Sequence, residues 1–290
     1  MANATVEHVS DTAFWVAHYR GVETGRPDAL FSDPLAAVLA GDRGRRIAES
    51  MPRPFLTAWV IAVRTRIIDE FIRDAIAGGV DTVLNLGAGL DTRAYRMDLP
   101  ASLQWIEADY PAMIDYKEKH LGRETPRFRL TRVKADLANP IERQRVLRNA
   151  NAQAGKMLVL TEGVVPYLTN ENVGALADDL AALDRAAYWV AEFFSPELLK
   201  QRVKWTGRHL ENAPFKFNPD DWFGFFEAHG WRSKDVKYLA GESERYGRRI
   251  ELPFIGMLII GAQWLLYSNE RRAQSRKAAG YILFEPIRKA

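Results

Sequence analysis

The stretch Thr82-Val83-Leu84-Asn85-Leu86-Gly87-Ala88-Gly89-Leu90-Asp91-Thr92-Arg93 decides the fold. Its first five residues are mostly apolar and read as a short buried strand. Two glycines follow, and then a segment with helical character. Glycine is needed where backbone must take positive φ or approach a ligand closely. In an open α/β sheet, ligands sit at the carboxyl ends of the strands, where this turn lies. Alone, a G-x-G is equally well a tight strand–helix turn.

Working outward, short strand-like runs recur at Leu103–Ala108, Met157–Thr161 and Tyr188–Phe194, with Arg129–Lys134 a weaker candidate between them. Helical stretches lie between them: Pro111–Leu121, Ile141–Asn149 and Asn170–Asp184. This alternation predicts a parallel sheet with helices on both faces. Upstream, the first 80 residues read as helical. Ser10 or Asp11 caps a helix through Tyr19, and Asp33-Pro34 opens a second helix to about Leu39. Trp59, Val63, Ile67, Phe71 and others recur at three- and four-residue spacing, which predicts a long helix from Phe55 to Ala77, stopped by Gly78-Gly79. Weaker strands follow at Ser233–Leu239 and Tyr281–Glu285, the latter antiparallel at or near the sheet edge. No internal repeat or low-complexity linker divides the chain.

The predicted strand ends carry polar groups suited to a nucleoside. The dinucleotide fingerprint wants a third glycine at position 92, where this chain has Thr92, and that argues against NAD or FAD. Asp109 stands 20 residues beyond Gly89 at the end of the next strand. A carboxylate there can accept two hydrogen bonds from ribose hydroxyls. Asp136-Leu137 suits an adenine, with an acceptor for the exocyclic amine and an apolar face for the ring. Glu162 ends the fourth strand. Each acid alone is an ordinary solvated strand end, but consecutive strand ends carrying glycines or acids form a pattern. Asp91, just after the glycine turn, reads as a helix cap rather than a catalytic group.

The run from Leu84 to Arg93 resembles the leucine carboxyl methyltransferase family, in its bacterial branch of S-adenosylmethionine-dependent O-methyltransferases. Leu30-Phe31-Ser32-Asp33-Pro34-Leu35-Ala36 is similar to that branch's N-terminal D-P-L-A element. Arg64-Thr65 with Asp69, Glu107-Ala108-Asp109-Tyr110-Pro111, Asp136-Leu137 and Thr161-Glu162-Gly163-Val164 follow in order, over roughly residues 10–195. The resemblance implies a Rossmann-like class I methyltransferase sheet with S-adenosyl-L-methionine as cofactor. It implies that Gly87, Ala88 and Gly89 line the cofactor cleft, that Asp109 holds the ribose, and that Asp136 and Leu137 frame the adenine. Arg64 would pair with the methionine carboxylate, or else bridge to Asp69 or Glu70 on the helix surface. Glu162 would lie near the methionine end.

The resulting expectation is one integrated α/β domain. A helical N-terminal cap covers residues 1–80, and a core of 81–290 carries an acceptor-binding insertion at about 195–232. Aromatics from Trp205 to Phe226 (Phe215, Phe217, Trp222, Phe223 and Phe225 among them), with Arg202, Lys204, Arg208 and Lys216, read as core packing or as an apolar acceptor pocket bearing a cation. Tyr19 and Arg20 are further acceptor candidates from the cap, as are Trp205 and Arg208. A carboxylate acceptor is already ionised and needs no general base, whereas a phenol benefits from one. His8, His18, His120, His209 and His229 fall in no motif.

Composition narrows the field. There is no cysteine, which excludes disulfides, thiolate metal sites and cysteine nucleophiles and is compatible with a reducing cytoplasm. No apolar leader is visible in the first 30 residues. Net charge is +3, but Glu270–Ala290 holds six Lys/Arg against two Asp/Glu, so the body is close to neutral and argues against a nucleic-acid partner. Leu252–Ser268 carries no charge. It reads as a buried or pocket-lining segment, an oligomer surface, or a contact with a membrane surface. Signatures of nucleotide hydrolysis, zinc proteolysis and serine hydrolysis are lacking. The expected activity is methyl esterification of a small apolar carboxylate. Phenol or enol methylation in natural-product tailoring, and a catalytically silent binding module, stand beside it.

Overall fold

The computed structural model describes residues 6, 8–206, 211–251 and 268–288, with the backbone alone for 202–206. The apolar run 252–267 and the candidate Arg208 therefore lie outside the described residues, as does the side chain of Trp205.

Three helices come first: α1 (Asp11–Thr24), α2 (Pro34–Ser50) and α3 (Pro54–Ala77). Asp33 caps α2 by accepting from the Ala36 N–H at 3.1 Å, with Pro34 at the first helical position. Both α1 and α2 run beyond the lengths expected from sequence, past Tyr19 and Leu39. Glycines within these two helices serve their packing. Gly21 lets α2 approach, since a Cβ there would meet Ala37 Cβ at 3.0 Å. Gly41, at φ 50°, absorbs a kink within α2.

The sheet has seven strands in the order β3-β2-β1-β4-β5-β7-β6. They are β1 (Thr82–Leu86), β2 (Gln104–Asp109), β3 (Arg129–Lys134), β4 (Met157–Leu160), β5 (Ala186–Phe194), β6 (Trp231–Tyr238) and β7 (Ala279–Pro286). The first five are parallel, and β7 inserts antiparallel between β5 and β6. The complete burial of β1 and β4 follows from their central place, where helices cover both faces. β3 lies at the edge and alternates in exposure. Between the strands run α4 (Arg93–Arg96), α5 (Pro111–Leu121), α6 (Pro140–Gln153) and α7 (Asn170–Ala181). After β5 come α8 (Pro196–Thr206), α9 (Trp222–Ala228) and α10 (Leu239–Arg245), and a helix at Asn269–Arg276 leads into β7.

One apolar cluster joins cap and sheet: Phe14, Leu39 and Ile67 pack with Val83, Leu158 and Val190. The second lies on the other face and decides between the two readings of the aromatics after β5. Phe217, Trp222 and Phe226 are buried with Trp189, Trp231 and Phe284, so these aromatics of the insertion are core and not acceptor pocket. Their spacing could not separate the two, because both demand apolar burial. Glu107 is likewise structural: it accepts from Lys117 Nζ at 2.8 Å and Arg132 Nε at 3.0 Å, wholly buried. Among the described residues, no helix is long and apolar enough to cross a membrane.

The seat of α1 on α2 depends on Gly44, where a Cβ would stand 2.5 Å from the Phe14 carbonyl oxygen. Gly44→Val should cost about 1–3 kcal/mol by overpacking. Urea unfolding checks this, and an unchanged midpoint would show that the two helices separate freely.

Candidate active site

The glycine turn departs from ordinary backbone at two points. Gly87 has φ 67° and Gly89 φ 47°, in the left-handed region that side chains disfavour. A Cβ at Gly87 would also lie 2.4 Å from Val164 Cγ2. Asp109 clamps the turn from the end of β2. Its Oδ2 accepts from the Gly89 N–H and its Oδ1 from the Tyr110 N–H, both at 2.6 Å. Burial pushes the Asp109 carboxyl upward, and these two N–H groups oppose that shift.

Behind the turn sits a buried ionic network centred on Arg93. Its Nε donates to Asp69 of α3 at 2.8 Å, and its Nη1 donates to Asp91 and to Glu162, each at 2.7 Å. Asp91 also accepts from Asn85 Nδ2 and the Arg93 N–H, but the N-cap of the single-turn helix is Thr92, so Asp91 serves as a partner of Arg93 and not as the expected cap. Arg96 donates to both oxygens of Asp69, at 2.7 and 2.9 Å. Burial raises the cost of charge on Asp91 and Glu162, but Arg93 and its neighbouring cations hold both carboxyls below their ordinary values. Sequence reading did not single out Arg93. Three acids at separated positions, 69, 91 and 162, only reveal their common partner once folded.

In front of the turn opens a cavity of about 670 Å³, within the size range of small-molecule sites. Arg64, Gly87, Ala88, Gly89, Asp109, Leu137 and Glu162 all line it. Asp136 does not: its Oδ1 accepts from the Ala138 N–H at 2.9 Å, and Ala135, Leu137 and Ala138 face the cavity instead. Arg64 forms no surface bridge. Its Nε stands 3.1 Å from Glu162, while Asp69 serves Arg93 and Arg96, and Glu70 serves Arg66, Lys237 and Arg245. Burial opposes the charge on Arg64, but Tyr281, Glu162 and Glu192 hold its pKa above the usual value.

The cap contributes Val9, Ala13, Val16 and Arg20, one stripe of α1 and its entry. Arg20 is pinned there, donating to Asp33 Oδ2 at 2.9 Å and to the Leu90 carbonyl at 2.5 Å. Tyr19, one residue off that stripe, turns into the core and does not reach the cavity. From the insertion, Leu198, Leu199, Phe215 and Lys216 line the wall. His8 also lines it, whereas His120 lies against the Tyr116 carbonyl oxygen and His229 against Asp178.

The cavity has two halves. One lies over the ends of β1, β2 and β3, with the glycine turn, Asp109, Ala135 and Leu137. The other lies over β4, β5 and β7, with Glu162, Glu192, Phe194 and Tyr281, and is roofed by Trp59, Tyr167 and Phe215. Glu192 went unremarked in the sequence. Its signal was a lone acid in the apolar strand Ala186–Phe194. Burial pushes its carboxyl up to about 8, against the pull of its backbone hydrogen bonds and Arg64.

The strand order, the glycine turn and the acid after β2 define a methyltransferase-type α/β fold. The model of the leucine carboxyl methyltransferase family matches residues 13–181, and the chain belongs to that family. A relative from Frankia alni is 29% identical over 258 residues, covering 83% of this chain and 88% of its own. One from Mycobacterium avium is 31% identical over 276 residues, covering 84% and 86%. Both carry provisional names as S-adenosyl-L-methionine-dependent methyltransferases. Among solved structures, a DUF574 family protein from Streptomyces avermitilis aligns over 93% of this chain and 96% of its own, with TM-score 0.53 and 15% identity. A provisionally named methyltransferase from Thermobifida fusca aligns over 93% and 94%, with TM-score 0.54 and 14% identity. At such identities these two show the shared fold alone.

Removing Arg93 would take the shared cation from three buried carboxylates, leaving Asp69 to Arg96, Glu162 to Arg64 and Asp91 with no contacting cation of its own among the described residues. Arg93→Met should therefore cost about 3–5 kcal/mol. Chemical denaturation measures this, and a loss well under 1 kcal/mol would deny the network its central role.

Proposed function

We propose that this protein is an S-adenosylmethionine-dependent O-methyltransferase that esterifies a carboxylate on a small, largely apolar molecule. Methyl transfer is the business of its family, and S-adenosylmethionine is its cofactor. The observation that carries the reading is the glycine turn clamped by Asp109 at one end of a cavity whose other end is mainly apolar.

The residues fit such a cofactor. Positive φ at Gly87 and Gly89 keeps side chains out of the turn, so that backbone faces the ligand directly. Asp109 lines the cavity, and a carboxylate has lone pairs beyond the two its N–H partners occupy. Those would receive the ribose hydroxyls. Ala135 and Leu137 offer an apolar face to the adenine ring. Arg64 borders the cavity with an Nε that lacks a directed hydrogen bond among the described residues, as does Glu162 Oε1. These two groups would take the carboxylate and amine of the methionine end.

When bound, the cofactor supplies a methyl group on a sulfonium, already an electrophile. The chain's task is then to align the acceptor for in-line displacement and to exclude water. Trp59, Tyr167, Leu198 and Phe215 provide the apolar wall that does both. An ionised carboxylate attacks without losing a proton, so no base is required.

Asp109→Ala should weaken S-adenosylhomocysteine binding by about 1.5–3 kcal/mol, the range for a hydrogen bond to a charged group. Calorimetric affinity unchanged by the substitution would remove the ribose assignment. With a carboxylic acid as acceptor, kcat should show no limb rising with pH between about 6 and 9. A rising limb there would favour a phenol or enol acceptor instead.

A further inference from the structure

Among the polar groups of the cavity's acceptor half, Glu192 is one that the cofactor reading leaves unused. Glu192 is 2% exposed, lies in the cavity wall, and interrupts an otherwise apolar strand. Its Oε1 accepts from the Val164 N–H at 3.1 Å, and its Oε2 has no hydrogen-bond partner among the described residues. A buried carboxyl oxygen without a partner is uncommon and calls for a ligand or a functional role. The groups that face it are Arg64 from α3, Glu162 after β4, and Tyr281, its cross-strand neighbour on β7. Arg64 and Arg93 are both engaged by Glu162, so Glu192 has no cation of its own.

We propose that Glu192 is the acceptor-binding acid of this cleft, its Oε2–H donating a hydrogen bond to the carboxylate of an apolar carboxylic acid. The proposal rests on the methyltransferase reading and deepens it by assigning the residue that binds the acceptor. An O–H···O⁻ bond is among the stronger hydrogen bonds, and it forms only with an acceptor that carries charge or a strong lone pair. It orients one carboxylate oxygen and leaves the other to attack. No proton is transferred. The upward shift of this carboxyl to about 8 keeps the donor proton in place at neutral pH. The group loses it on the alkaline side, and two carboxylates then repel each other.

The test is calorimetry on the full chain saturated with S-adenosylhomocysteine. Cinnamate and decanoate are the probes, with cinnamamide as the uncharged control. At about pH 6.5 the wild type should bind at least one acid, and this affinity should fall roughly tenfold or more by about pH 9.5. Near pH 8.5 acid binding should take up a proton, seen as a dependence of the heat on buffer ionisation. Glu192→Gln keeps a donor that does not titrate, so its acid affinity should lose both the pH dependence and the proton uptake. Glu192→Ala should lose roughly tenfold at the lower pH. Acid affinity independent of pH in the wild type, unchanged by Glu192→Ala, or stronger for cinnamamide would overturn the proposal. Failure of every acid to bind, with S-adenosylhomocysteine bound normally, overturns the acceptor assignment and leaves the cofactor reading standing. Failure of S-adenosylhomocysteine itself to bind brings down both.

A separate readout covers folding. A carboxyl whose pKa is raised on folding destabilises the protein as pH climbs from its unfolded value toward its folded one, because the unfolded chain releases the proton first. Wild-type stability should thus decline between about pH 5 and 8, and Glu192→Gln should flatten that decline. An identical decline in the variant would show that Glu192 is charged in the fold, contrary to its proposed form.

Discussion

The site depends on one buried cation. Arg93 joins three elements that are distant in sequence: α3 through Asp69, the turn after β1 through Asp91, and the end of β4 through Glu162. Each of those acids would be costly to bury alone. Together around one guanidinium they are satisfied only in a single arrangement. A network of this kind adds little net stability compared with an apolar core, but it punishes any departure from its geometry. Here that geometry is the seat of the glycine turn.

The network also reaches the cap. Asp69 binds Arg96 as well as Arg93, and Asp33 at the start of α2 accepts from Arg20 and from Thr92 Oγ1. Arg20 in turn holds the Leu90 carbonyl. The cap helices are thus registered against the turn they cover, and residues of α1 can form a wall of the cleft. The same arrangement explains why the cleft sets polar groups at the strand ends against largely apolar walls. The parallel strand ends carry the polar groups, while cap, insertion and β7 close the remainder with aromatic and aliphatic side chains. A methyltransferase needs that division, since the donor is highly charged and the acceptor must be held away from water.

Much of this was legible in the chain. The change from three- and four-residue periodicity to short apolar runs located the cap and the sheet. Asp33-Pro34 declared a helix start by local chemistry, and Gly87, Gly89 and Asp109 stand where their spacing placed them. What escaped reading depended on partners far away in sequence. Arg93 is unremarkable beside its neighbours until Asp69, Asp91 and Glu162 converge on it. Tyr19 and Arg20 differ by one residue, yet a helical turn of about 100° sends the first into the core and the second to the cleft. Trp222 and Phe226 were indistinguishable from pocket residues because burial selects the same side chains in both settings. Asp136 satisfies its own backbone while its neighbours face the cavity.

Calorimetric titration of the full chain with S-adenosylhomocysteine, with NADH as control, tests the central claim most directly. Micromolar affinity for the first and none for the second is the result that follows from a clamped glycine turn with Thr92 where a dinucleotide fold needs glycine. Heat from NADH alone, or from neither ligand, would mean that this turn does not receive the cofactor of its family.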